Sequence, residues 1–335
     1  MLLHSSLSFM LIFIFYGGMV DLGTTLLESL QTVEEAHPDV QGPIYGSQWR
    51  TVKVYVRLHG SSASILCPLK HHKDMGSPQV EWHGPYGKIY SGRSKRIKDD
   101  KSLVFSNAYP DLSGFYTCTV QYYYNGQRDI SANTFEVFVF TDPEVSFNMA
   151  VTYQIDTCSN IDMYLVVDKM QEVLNIMLQM LRCQVVHPKM NCKLDKVSGV
   201  SSASMHIIFQ LDAFGRSWGD ACKQTHIRDC TDASNSRVEK ARTLIQNFFH
   251  KQEQMLRRMD PKPIIHYIAG SLTMERLYNC KPGYGIHNKK HHTCSNCCVV
   301  CHPGSYSATH ETKCQGCEDS VTYGEVTCRQ FGKDL

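Results

Sequence analysis

This chain of 335 residues lacks an excess of either charge: 34 Lys and Arg stand against 32 Asp and Glu, for a formal net charge of +2. Neither the global basicity of a nucleic-acid binder nor the acidic, weakly apolar character of a disordered chain is present, so any electrostatic partner is met by a local patch. It also lacks a long apolar run. The longest, in "MLLHSSLSFMLIFIFYGGMV", extends from Leu7 to Tyr16 with Ser8 inside it. That is short of the roughly 20 apolar residues a membrane-spanning helix needs, and small residues follow it, so residues 1–23 are expected to be a secretory signal peptide, with no transmembrane segment in the mature chain. N-x-S/T acceptor sites are missing, and Asn296-Cys297-Cys298 is the nearest approach. Absent too are G-x-S-x-G, H-E-x-x-H, G-x-x-x-x-G-K-S/T and G-x-G-x-x-G, so nothing in the chain points to catalysis or to a cofactor.

What the chain does have is cysteine: 15 of them, an odd number. Behind a signal peptide they read as disulfides, because the secretory route is oxidising, with at least one thiol left over.

Length favours several modules over one core. From residue 45 to 140, short runs such as "TVKVYVRLH", "VEWHGPYGK", "SGFYTCTVQYYY" and "NTFEVFVFT" alternate apolar and polar residues between turn residues. This is the pattern of an antiparallel sandwich. Cys67, Trp82, Tyr116 and Cys118 sharpen it to an immunoglobulin-like domain: two facing strands bridged by Cys67–Cys118, a tryptophan against the bridge, and a tyrosine two residues before the second cysteine. A bridge closing a loop of about 50 residues contributes roughly 4 kcal/mol in the chain-entropy picture. These residues are scaffold, and any function sits in loops and exposed faces. The candidate there is "KIYSGRSKRIKDDK", where Asp99 and Asp100 answer six basic residues. Such a run is either a solvated hairpin or an acceptor for the sulfate or carboxylate groups of a glycan, and Arg93, Lys95, Arg96 and Lys98 are the candidate ligand-binding residues.

Residues 148–277 change texture. "IDMYLVVDKMQEVLNIMLQML" and "NSRVEKARTLIQNFFHKQEQMLRR" carry apolar residues at spacings of three and four, and strand-like runs flank them. Read in order this is β-α-β-β-α-β, an α+β module with a ferredoxin-like arrangement of two helices on one face of a sheet. Of its five cysteines, Cys222 with Cys230 and Cys183 with Cys192 are the easy local pairs, which leaves Cys158 over.

Residues 280–335 hold Cys280, Cys294, Cys297, Cys298, Cys301, Cys314, Cys317 and Cys328. So short a segment has little core and needs staples. Its C-x-x-C pairs, with His287, His291 and His292 nearby, have zinc-site spacing; the oxidising compartment favours disulfides and no metal. Cys297 and Cys298 have Cα atoms about 3.8 Å apart, below the roughly 4.4 Å a disulfide needs, so they take different partners. Spacing leaves the connectivity open.

With its leader, "EWHGPYGK" and "DLSGFYTCT" strands, helical middle and "TCSNCCVVCHPGSYS…CQGC…VTYGEVTC" tail in this order, the chain resembles the zona pellucida-binding protein family. The resemblance covers nearly the whole mature chain and implies a non-enzymatic secretory protein of the sperm acrosome. Its implied partners are egg-coat glycoproteins, or other acrosomal matrix proteins if it acts as a scaffold for acrosome assembly, and no nucleic acid.

Overall fold

The computed structural model describes residues 42–69, 77–124, 127–158, 160–197, 200–213, 230–287 and 289–328. The expected signal peptide and Cys222 lie outside them. The described residues form two compact units: one from Glu144 to Tyr278, the other from residues 42–143 together with residues 279–328.

In the second of these, β1 (Ile44–Tyr45), β3 (Ile65–Leu66), β7 (Leu103–Phe105) and β6 (Lys95–Ile97) form one sheet, in that order. The other sheet contains β2 (Val52–Arg57), β4 (Gln79–Gly84), β5 (Gly87–Lys88), β8 (Gly114–Tyr124) and β9 (Gln127–Thr141). Period-two alternation places Val54 and Val56 of β2 and Phe135 and Val137 of β9 inside, against Ile65, Leu103 and Phe105 of the facing sheet. Cys67 is bonded to Cys118 on β8, and Trp82 of β4 is the direct cross-strand neighbour of Cys118. The Tyr116 hydroxyl donates to the Leu112 carbonyl at 2.8 Å, closing the corner before β8. This is an immunoglobulin-like sandwich.

The Glu144–Tyr278 unit runs β10 (Glu144–Ile155), α1 (Asn160–Leu178), β11 (Gln184–Val197), β12 (Val200–Asp212), α2 (Thr231–Leu256), β13 (His266–Tyr267) and β14 (Thr273–Asn279). The sheet order is β11-β12-β10-β13, with β14 also paired to β10. The first and third strands of the β-α-β-β-α-β run are therefore central, as in the ferredoxin-like arrangement. Val166, Met170, Val173 and Leu174 of α1 and Val238, Ala241, Ile245 and Phe248 of α2 pack on alternate residues of β10 and β12, among them Met149, Val151, Met205 and Ile207. The methionines of α1 are core residues. Arg182, at φ 51°, ends the turn after α1 in a left-handed conformation. The Arg237 guanidinium of α2 donates to the carbonyls of Leu181 and Ala213, both at 2.7 Å.

One sequence expectation fails in this unit. Cys192 is bonded to Cys158, not to Cys183. Spacing favours the short hairpin-like pair, but Cys192 is on β11 with its side chain only partly buried, whereas Cys183 is buried beneath α1 at the start of that strand. Cys183 is free, and burial pushes its thiol up to about 11. Cys230 is disulfide-bonded; the expected pair with Cys222 falls outside the described residues.

The tail contributes β15 (Tyr284–Gly285), β16 (Cys298–Val300), β17 (Ser305–Tyr306) and β18 (Gln315–Gly316). It is stapled by Cys280–Cys298, Cys294–Cys297, Cys301–Cys314 and Cys317–Cys328. The adjacent pair Cys297 and Cys298 thus reaches different partners. β16 pairs with the end of β9, Cys298 with Thr141 and Val299 with Phe140, so the cysteine-rich segment extends the immunoglobulin-like sheet. Gly283 and Gly324 make this compaction possible: both have positive φ, and a Cβ on Gly283 would sit 2.6 Å from the Gly324 carbonyl oxygen.

Candidate functional site

The basic run occupies the loop before β6, β6 itself and the turn that follows. Ser91 Oγ accepts from the Ile97 amide at 2.9 Å and the Gly92 amide donates to the Lys95 carbonyl at 2.7 Å, so this loop is tied back on itself. Because side chains alternate along a strand, Arg96 points away from Lys95. Arg93 and Arg96 are exposed. Lys95 is half-buried, its ammonium 5.7 Å from the ring centroids of both Tyr86 and Tyr116. Lys98 donates to Ser64 Oγ at 2.8 Å. The four candidates therefore do not converge on one point; they line an edge strand, with the exposed rings of Tyr86 and Tyr90 beside it (76% and 77% exposed). Two acids of the segment, Asp99 and Asp100, stand against the cations of that edge, and Asp100 is oriented by Ser102. Asp100 accepts from the Ser102 hydroxyl and amide at 2.7 and 3.0 Å, bonds that hold its carboxyl below the usual range. Lys88 is removed from the patch by its 2.7 Å ion pair with Glu81.

The arrangement can present cations and aromatic faces to an anionic, ring-bearing partner. Rim charges of this kind chiefly govern association rate and salt dependence.

A second basic cluster was not legible in the sequence. Arg50 and Lys53, at the start of β2, meet Lys290 and His292 of the tail around an open recess. The Lys53 ammonium donates to the Lys290 carbonyl at 2.6 Å across 237 positions of chain. Beneath it, the Tyr55 hydroxyl and His291 Nδ1 share a 3.0 Å hydrogen bond, and Phe138 lies edge-on to both His291 and His302. Only the chain reversal at β16 brings these residues together.

The histidines that have zinc-like spacing in the sequence are spent differently. His291 is buried in this aromatic stack, and among the described residues no three His, Cys, Asp or Glu side chains form a metal-holding group. Six disulfides are described in all, the pattern of a chain matured in an oxidising, secretory compartment. No helix among the described residues is long and apolar enough to cross a membrane.

Two family models match the chain. Residues 51–141 match the Zona-pellucida-binding protein (Sp38) N-terminal Ig domain, and residues 280–329 the Zona-pellucida-binding protein (Sp38) C-terminal EGF-like domain. Neither describes an enzyme. Zona pellucida-binding protein 2 of Mus musculus is 30% identical over 307 residues, covering 87% of this chain and 92% of that protein. Zona pellucida-binding protein 1 of Mus musculus is 31% identical over 295 residues, 85% of this chain and 82% of that protein. Zona pellucida-binding protein 1 of Gallus gallus is 30% identical over 327 residues, 93% of this chain and 100% of that protein.

Proposed function

The chain belongs to the zona pellucida-binding protein family, and on that premise we propose that it is a secreted acrosomal binding protein that contributes to sperm attachment to the egg coat and so to fertilisation. Its partners in this reading are egg-coat glycoproteins, met without catalysis or cofactor. The observation that carries it, beyond the relatives' names, is the edge formed by Arg93, Lys95, Arg96 and Lys98 with the exposed rings of Tyr86 and Tyr90. Residence in the acrosome lumen or matrix, with release on exocytosis, follows from the family resemblance and fits the disulfide-rich build.

The alternative is a matrix scaffold for acrosome assembly with other acrosomal proteins as partners, for which the odd number of cysteines and the modular build speak; Cys183, free among the described residues, is buried and so is not placed to cross-link chains. The test is to replace Arg93, Lys95, Arg96 and Lys98 together by Ser and measure binding to isolated egg coats at low and high salt. The expected result is weaker binding with a flatter salt dependence and an unmoved thermal midpoint. Unchanged binding at both salts would put the scaffold reading ahead.

A further inference from the structure

Three cationic side chains, Arg50, Lys53 and Lys290, gathered at one recess repel one another unless something anionic is supplied. Arg50, Lys53, Lys290 and His292 are all exposed at the recess. None makes an ion pair with an acidic side chain among the described residues. Glu136 is the cross-strand neighbour of Lys53 in the β2–β9 pairing, and one carboxylate against this group leaves the recess with a positive excess.

One donor, Lys53, is held by its side chain, and the segment that carries Lys290 and His292 is anchored through its neighbours. Lys53 is tethered by its bond to the Lys290 carbonyl, which leaves its other N–H groups free to donate. Lys290 and His292 flank His291, which Tyr55 grips from beneath, and the Cys294–Cys297 disulfide closes the turn that follows. The Tyr55 and Thr293 side chains lie at the recess wall. Immediately before Arg50 stands Trp49, 93% exposed, a large apolar face with nothing covering it. Cations lining a recess, with a bare indole next to it in the chain rather than in its lining, match a ligand that carries oxyanions on rings with apolar C–H faces: the cations take the oxyanion and the indole can take a neighbouring ring. The recess is open, so it suits a group borne on a chain rather than an enclosed small molecule.

We infer that Arg50, Lys53, Lys290 and His292, with Trp49, form a binding site for an acidic saccharide, built jointly by the immunoglobulin-like domain and the cysteine-rich tail. Sulfate esters and sugar carboxylates share the required oxyanion chemistry. The site is separate from the basic edge at β6, which belongs to the other sheet, and it does not depend on the egg-coat reading. Because Lys290 and His292 come from the tail, it exists only while β16 is docked on β9.

The test uses the full secreted chain and three soluble probes: a heparin-derived tetrasaccharide, sialyllactose and inorganic sulfate, each titrated calorimetrically at low and high salt. Three chains are compared with wild type: R50S/K290S/H292S, the R93S/K95S/R96S/K98S variant, and K251S/R258S, which removes the same two formal positive charges as the recess variant, as a control for net charge. The three recess positions have no side-chain partner among the described residues, so the fold is expected to survive, with the thermal midpoint as the check. The expected result is that the recess variant binds the tetrasaccharide at least about tenfold more weakly, with a smaller salt slope, while the charge control matches wild type. W49A is expected to weaken saccharide binding without changing the salt slope. Tighter binding of sialyllactose than of the tetrasaccharide would keep the site and assign its oxyanion as a carboxylate. Wild-type affinity in the recess variant, an equal loss in the charge control, or inorganic sulfate competing as well as the saccharide would each overturn the inference. Loss only in the β6 variant would overturn it too and leave the basic edge standing, and since no egg coat is used, failure here leaves the coat-binding proposal untouched.

Discussion

The imidazoles of His291 and His302 stack with centroids 5.7 Å apart and planes 9° from parallel, beneath the junction of the immunoglobulin-like sheet and the tail. Burial holds both rings down at about 4, helped for His291 by His302, Lys53, Lys290 and His287, and for His302 by Lys290, His287 and Lys53. The unfolded chain regains an ordinary value near 6.5, so between those values it binds more protons than the folded state. The stabilisation is complete above about pH 6.5 and is lost as pH falls toward 4, a total on the order of a few kcal/mol for the coupled pair. Thermal unfolding from pH 7.5 down to 4.5 checks this. His302→Phe, which keeps a ring in the stack and removes one titrating group, is expected to show a shallower fall than wild type; parallel curves would refute the assignment.

Peptide mapping of the non-reduced protein is expected to show Cys158 linked to Cys192. Cys183 is expected to react with an alkylating agent only after denaturation, since its thiol is buried and held in the protonated form. The tail is expected to yield Cys280–Cys298, Cys294–Cys297, Cys301–Cys314 and Cys317–Cys328. A Cys183–Cys192 peptide would overturn this arrangement of the Glu144–Tyr278 unit.

Tyr116→Phe removes a buried hydroxyl and leaves the Leu112 carbonyl without its donor. The cost is expected at about 1–2 kcal/mol, a drop of a few degrees in the midpoint of the unit that contains it. Phenol titration gives an independent reading, because burial, with Asp111 and Tyr86 adding to it, raises the Tyr116 pKa well above that of a free tyrosine. The folded protein is therefore expected to show one fewer ionising phenol at high pH than the unfolded chain on account of this residue.

Arg237 ties the end of the α1 turn to the end of β12 through the Leu181 and Ala213 carbonyls, with a longer contact to Arg182 at 3.3 Å. Arg237→Met keeps much of the apolar stem and deletes the charge-assisted bonds, for a loss of about 2–3 kcal/mol. Hydrogen exchange is expected to quicken in α2 and the start of β11. Exchange in β8 and β9 is expected to stay as in wild type, since they belong to the other unit; equal acceleration there would count against a local role.

Much of this protein was set by short-range pattern. Alternation in "TVKVYVRLH" and "NTFEVFVFT" specifies strands with one buried face whatever lies beyond them, and Cys67, Trp82, Tyr116 and Cys118 suffice for the sandwich because one domain supplies every partner they need. The three- and four-residue spacing in α1 and α2, with the strand runs around them, likewise contains the β-α-β-β-α-β order. Even the divergence of Cys297 and Cys298 follows from the length of a peptide unit. What tertiary structure alone decided are the relations across long stretches of chain. Cys192 bonds to Cys158 because the sheet aims its side chain there, a direction that sequence distance does not encode. β16 adds to β9 because the end of that strand, beyond Val137, has no partner from β8 and offers free hydrogen-bonding groups, a vacancy visible only once the sheet is built. That docking places Lys290 and His292 beside Arg50 and Lys53: basic residues such as Lys53 and Lys290, 237 positions apart, have no local signature, whereas a dense run such as Arg93 to Lys98 announces itself, and so the basic edge was readable from the sequence and the recess was not.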